Sequence, residues 1–303
     1  KLLFFNCNHD HHSIFVISPF FFFSSSFPLL PSTLSPDGAT FAIWGLIYLF
    51  EAILVVYQCF DTDTNAKVLG GKTRHWIIAS FLTNAIWLPI FSYHRWFLSL
   101  AVIVGYLYSL YQTNLAMKIN YGNKNVAASA QTMAMVGISL NMAWVVVATL
   151  LNFTIVSRNS GIIVTTVTTG VTNTTAGTVA PLFTTAIVGG NVDWAILCIV
   201  IASALAMYRA WVYCDVPYSF VTAWALGGIY RMQTYATDEN FPTAAKSTDQ
   251  ATWALMFSLI VGAVGVVGLG KAIYRGFTTS VDDKDDASLT RSLSSSEKPA
   301  SYV

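Results

Sequence analysis

The feature that most constrains this chain is a series of long, nearly unbroken apolar runs. Residues 41–60, 75–93, 96–117, 133–156 and 251–274 each supply about 20 mostly apolar residues. At 1.5 Å rise per residue, that is the length an α-helix needs to cross a hydrocarbon core about 30 Å thick. Residues 194–213 make a sixth such run, with Arg209 near its end. Residues 216–230 are shorter and read as a short or tilted span, or as a re-entrant segment. The stretch SIFVISPFFFFSSSFPLL (13–30) is apolar enough to span, although Pro19 and a serine cluster interrupt it. Inside a bilayer every backbone N–H and C=O must be paired within the protein, so runs of this length become helices. The expectation is an all-α, polytopic transmembrane helix bundle of seven to eight spans.

Composition agrees with that reading. The chain is 54% hydrophobic and only 10% charged, whereas soluble domains carry about 25% charged residues, and its mean hydropathy is +0.56. A net charge of +1 gives no electrostatic footprint for a nucleic-acid partner. The four cysteines, Cys7, Cys59, Cys198 and Cys214, show no C-x-x-C spacing, so neither a disulfide nor a metal site is inferred. His9, His11 and His12 cluster near the first residue but are not assigned a metal. No nucleophile–base pair, metal motif or phosphate-binding glycine loop is visible, so the chain does not read as an enzyme.

The organisation follows from the polar connectors. Residues 1–35 are open to three readings: a weak first span, a signal peptide, or an incomplete N-terminus, since the first residue is Lys1. Residues 36–156 hold the first set of strong helices, and 157–192 form a Thr- and Gly-rich loop, either a hairpin or a flexible exoplasmic segment. Further helices occupy 193–274, and a Ser- and Asp-rich tail from 275 is expected to be disordered.

Orientation follows from the distribution of Lys and Arg. If the 61–74 loop faces the cytosol or stroma, that side holds Lys67, Lys72, Arg74, Lys118, Lys124, Arg209, Lys271, Arg275, Lys284, Arg291 and Lys298. The opposite side holds Arg95, Arg158, Arg231 and Lys246. The bias places the tail in the cytosol or stroma. The sequons at Asn152 and Asn173 then fall on the exoplasmic side, with Asn173 the one far enough from a helix end for glycosylation.

Three helices present polar and aromatic residues at helical spacing. In 41–60, Trp44, Tyr48 and Glu51 share a face. An ionisable group inside a span usually faces the bundle interior or a cavity, so this face should look inward. Glu51 then serves either as a structural hydrogen-bond partner of another helix or in a ligand or proton role. In 75–93, Asn84, Trp87 and Phe91 share a face, with Pro89 between them as a kink signal. In 133–156, Asn141, Trp144, Ala148 and Asn152 lie near one another in projection, and the small Ala148 permits close approach of a helix or a flat ligand. Trp76, Trp96, Trp194 and Trp253 lie at span ends and read as interfacial-belt residues. In the last helix Gly262, Gly265, Gly268 and Gly270 offer a close-packing face.

The stretches SPDGATFAIWGLIYL (35–49), NAIWLPIF (84–91) and AWVVVATLLN (143–152) together resemble the TspO/MBR family, the translocator and tryptophan-rich sensory proteins. That family has five transmembrane helices, with W-x-x-x-Y in the second, N-x-x-W-x-P-x-F in the third and W-x-x-x-A-x-x-x-N in the fifth. The matching residues here are Trp44 and Tyr48; Asn84, Trp87, Pro89 and Phe91; and Trp144, Ala148 and Asn152. The resemblance covers 13–156, with 13–30 in the place of the first helix. The entry loop, Pro36-Asp37-Gly38-Ala39, lacks the family's second proline and following tryptophan.

About three helices follow the five-helix core, as in a larger, divergent branch of such proteins, which residues 215–231 fit. The 157–192 loop looks like an insertion. The resemblance implies a hydrophobic small molecule, tetrapyrrole or sterol-like, bound for sensing or transport. It implies a hydrophobic pocket lined by Trp44, Tyr48, Trp87, Phe91 and Trp144, and with Glu51, Asn84 and Ala148 from the same helix faces these make the candidate ligand-binding set. No cofactor beyond such a ligand is expected. The lipid bilayer is the remaining partner, with a homo-oligomer or larger membrane complex open. Competing readings are a structural subunit of a membrane complex and a proton-coupled transporter using Glu51.

Overall fold

The computed structural model describes residues 3–5, 14–16, 38–58, 71–121, 128–159, 191–235 and 246–296. Among these it is an all-α bundle of seven helices. A 3-10 helix, Gly38–Ala42, leads into α1 (Ile43–Gln58). Then come α2 (Lys72–Ser92), α3 (Trp96–Tyr121) and α4 (Ala128–Asn159). After these come α5 (Asn191–Tyr213), α6 (Val216–Tyr235) and α7 (Thr248–Ser296). Six helical windows are long and apolar enough to cross a membrane, all but α6 contributing one. The segment expected as a short or tilted span, or as re-entrant, is the unbroken 20-residue α6.

Packing is ordered around α4, the most buried of the six candidate spans. It lies against α1, α3, α5 and α6, while α2 packs on α3 and α7 covers α5 and α6. Glycine sets the closest of these crossings. A Cβ on Gly137 of α4 would stand 3.3 Å from the Phe50 carbonyl carbon of α1. The bare backbone there brings the two helices together at the level of Glu51. On α7, Gly265 faces Ser219 and Gly268 faces the Ala210 carbonyl, whereas Gly262 and Gly270 meet open space. Two of the four expected close-packing glycines therefore pack, at i and i+3 on one face.

Two expectations are corrected. Within 13–30, Ile14–Val16 is a strand paired antiparallel with Leu3–Phe5, so those residues are not helical. β-branched and aromatic side chains favour an extended backbone, and Pro19 disfavours helix continuation across it. The rest of 13–30 lies outside the described residues. The tail is helical from 275 to Ser296, where disorder was expected. No proline interrupts α7 before Pro299, so the helix already nucleated in the apolar span propagates at low cost. The loop 160–190, with Asn173, lies outside the described residues.

Candidate functional site

The site is built where α1, α2 and α4 turn their aromatic faces together. Trp44 stacks on Tyr48 one turn below it, with ring centroids 5.3 Å apart at 23°. It also meets Trp87 of α2 at 6.4 Å and the edge of Trp144 of α4 at 6.1 Å. Phe91 adds a fourth ring at 5.2 Å from Trp87, and Phe41, just before α1, closes on Trp144 at 5.6 Å. Offset and edge-on arrangements of this kind contribute about 0.5–1.5 kcal/mol per pair beyond the area they bury. The cluster is thus rigid packing as well as a surface for a ligand.

These rings enclose a cavity lined by Phe41, Trp44, Trp87, Leu88, Phe91, Trp144, Val147, Ala148, Leu151 and Asn152, of about 30 Å³. That is room for one water molecule, against about 300–1,000 Å³ in pockets that hold drug-sized ligands. Five of the eight sequence-predicted site residues line it: Trp44, Trp87, Phe91, Trp144 and Ala148. Tyr48, Glu51 and Asn84 do not.

Those three belong to a polar layer deeper along α1. Asn141 Nδ2 donates to Glu51 Oε1, and the Tyr106 hydroxyl donates to Asn141 Oδ1 at 2.8 Å. Tyr48 lies one turn from Glu51 on the same face of α1 and is buried as well. Glu51, Asn84, Tyr106 and Asn141 are all buried. A carboxylate carried into a bundle interior is costly unless hydrogen-bonded, and Asn141 supplies the bond one turn beyond the Gly137 crossing. Glu51 is thus hydrogen-bonded to another helix of the bundle.

A second polar chain fixes the cavity wall. Trp87 Nε1 donates to Ser99 Oγ at 3.0 Å, and Ser99 Oγ donates to Asn152 Oδ1 at 2.8 Å. Asn152 Nδ2 in turn donates to the Ala148 carbonyl at 3.2 Å. The indole of Trp87 is thereby held in one orientation by α3 and α4. Sequence reading missed Ser99 and Tyr106 because α3 carries no motif. The one available signal was a polar residue in an apolar run.

The α5–α6 corner is a third polar site, also unanticipated. Arg209 Nε donates to Asp215 Oδ2 at 2.8 Å, and Ser139 Oγ donates to the other carboxylate oxygen. The guanidinium lies over the Tyr218 ring, 4.9 Å from its centroid. Asp215 Oδ1 also accepts from the Tyr218 amide at 3.3 Å, which caps α6. Cys214, at φ 54°, makes the turn between the helices.

In comparison with known proteins, the family model described as TSPO-like protein matches residues 24–189. The match begins within the 13–30 run and continues past 156 through the Thr- and Gly-rich segment. No curated protein and no solved structure matches the chain. The matched region spans more than half of the 303 residues and contains α1 to α4, which build the aromatic site. The chain belongs to the TSPO-like family and is an integral, multi-pass membrane protein.

Proposed function

We propose that this protein binds a flat, hydrophobic small molecule of the tetrapyrrole or sterol-like class between α1, α2 and α4, for sensing or transport. The observation that carries the reading is the convergence of Trp44, Trp87, Phe91 and Trp144 from three helices around one cavity. Flat apolar ligands gain by stacking on such rings, and Asn152 supplies the polar group that sets orientation. Because the cavity is about 30 Å³, binding requires the rings to part, with the ligand replacing their mutual contacts. Tyr48, Glu51 and Asn84 form the floor that a ligand reaches only after that opening. The C-terminal tail lies on the cytosolic or stromal side in this reading, following the Lys and Arg bias.

The test is titration of the purified protein with protoporphyrin while tryptophan fluorescence is followed. Saturable quenching is expected, and Trp44→Ala or Trp144→Ala should weaken binding at least tenfold, about 1.4 kcal/mol. Quenching that is absent, or unchanged in both variants, overturns the proposal. Proton-coupled transport through Glu51 is the second reading, favoured by the burial of a carboxylate within a span. It requires proton-driven uptake in proteoliposomes that Glu51→Gln abolishes.

A further inference from the structure

A larger recess lies between the 3-10 helix and two helices beyond the matched family region. It is an open groove of about 480 Å³ between α6, α7 and the 3-10 helix Gly38–Ala42. Phe220, Trp224 and Tyr230 of α6 form its apolar wall, Gly227 its floor, and Arg231 is the one charged side chain among its described lining residues. The wall is fixed: Trp224 Nε1 donates to the Thr40 carbonyl at 3.0 Å, and Ser258 Oγ donates to the Ala223 carbonyl at 2.9 Å.

The groove is graded along the axis of α6. At 1.5 Å per residue, Arg231 stands about 10 Å along α6 from Trp224 and about 16 Å from Phe220. It is exposed, four residues before the helix ends at Tyr235. An arginine there is at the depth where a long cationic side chain reaches the interface. Towards the bilayer centre the groove runs onto lipid-facing apolar surface, with Phe220 50%, Trp224 41% and Leu259 66% exposed. A cation at headgroup depth above an aromatic trough open to lipid fits an anionic amphiphile lying parallel to the helix.

We propose that this groove binds an anionic phospholipid of the surrounding bilayer, with Arg231 paired to the headgroup and the upper acyl chain against Trp224 and Phe220. Its occupant is a bilayer lipid because the groove opens sideways onto lipid-facing surface. The site does not depend on the ligand reading of the aromatic cavity.

The test uses the full chain in nanodiscs of phosphatidylcholine and phosphatidylglycerol, with one lipid at a time carrying brominated acyl chains. Bromine quenches nearby indoles, and the difference between the protein and its Trp224→Phe variant isolates the Trp224 signal. Brominated phosphatidylglycerol should quench Trp224 at least threefold more strongly than brominated phosphatidylcholine at equal mole fraction. Arg231→Gln should remove that preference and Arg231→Lys should keep it. Gly227→Leu should reduce quenching by both lipids. Its new side chain has room to enter the groove, since the nearest atom to a Cβ there is Ser258 Oγ at 3.7 Å. Equal quenching by the two lipids, or a preference that survives Arg231→Gln, overturns the proposal. So does an absence of Trp224 quenching by either lipid, which means that protein rather than lipid covers the groove.

Discussion

At the scale of single residues, the buried polar side chains carry the sharpest consequences. Asn141 joins Glu51 of α1 to Tyr106 of α3, so removing it strands two buried groups at once. Asn141→Ala is expected to destabilise the protein by about 1–3 kcal/mol, measured by unfolding in mixed detergent micelles. Glu51→Gln keeps an acceptor for Asn141 and should cost less. A larger loss for Glu51→Gln than for Asn141→Ala would contradict the hydrogen-bonded role of Glu51. The face of α1 was legible because helical period alone places Trp44, Tyr48 and Glu51 in one stripe. Depth was not. Period fixes direction around a helix but not which turns of that stripe border a void, so Tyr48 and Glu51 were grouped with Trp44 and lie below the cavity instead.

At the scale of elements, two joints hold the bundle. The first is the α1–α4 crossing at Gly137. Gly137→Val adds atoms 3.3 Å or less from the α1 backbone, where only movement of a whole helix can relieve the contact. A loss of about 1–3 kcal/mol is expected, read in the same unfolding assay. The second joint is the α5–α6 corner. Asp215→Ala leaves the buried Arg209 guanidinium without its carboxylate, a class of change that costs about 3–5 kcal/mol. Replacing both partners together, Arg209→Met with Asp215→Leu, should recover most of that loss. Failure to recover would show that Ser139 and the α6 cap, rather than charge pairing, dominate the corner. The helices themselves were legible from length and hydropathy. The joints were not, since a single glycine or a lone Arg–Asp pair across a turn carries no period. The N-terminal run illustrates the same limit: aromatic and β-branched content suits a strand as well as a span, and Ile14–Val16 is a strand.

At the scale of the whole molecule, the family match and the helix count describe a core of α1 to α4 with α5, α6 and α7 added along one side. The orientation proposed from Lys and Arg asymmetry makes a direct prediction. A cysteine introduced at Ser292 should react with a membrane-impermeant maleimide from the cytosolic or stromal side only, and one at Asn173 from the opposite side only. Labelling of both from the same side would contradict the three crossings, α5, α6 and α7, that the proposed orientation puts between them. The overall bundle was legible because a bilayer leaves the backbone few choices. The state of the site was not. Aromatic residues that can hold a flat ligand are also residues that pack well against one another, and sequence does not distinguish a closed cluster from an open pocket.

The central claim is that a flat ligand binds by parting this closed cluster around the cavity that Ala148 lines. The most direct measurement is protoporphyrin affinity of Ala148→Leu, which fills the approach without removing any ring. The account predicts at least a tenfold loss of affinity with the helical content of the protein retained. Unchanged affinity in a folded Ala148→Leu protein would contradict it and place any ligand elsewhere.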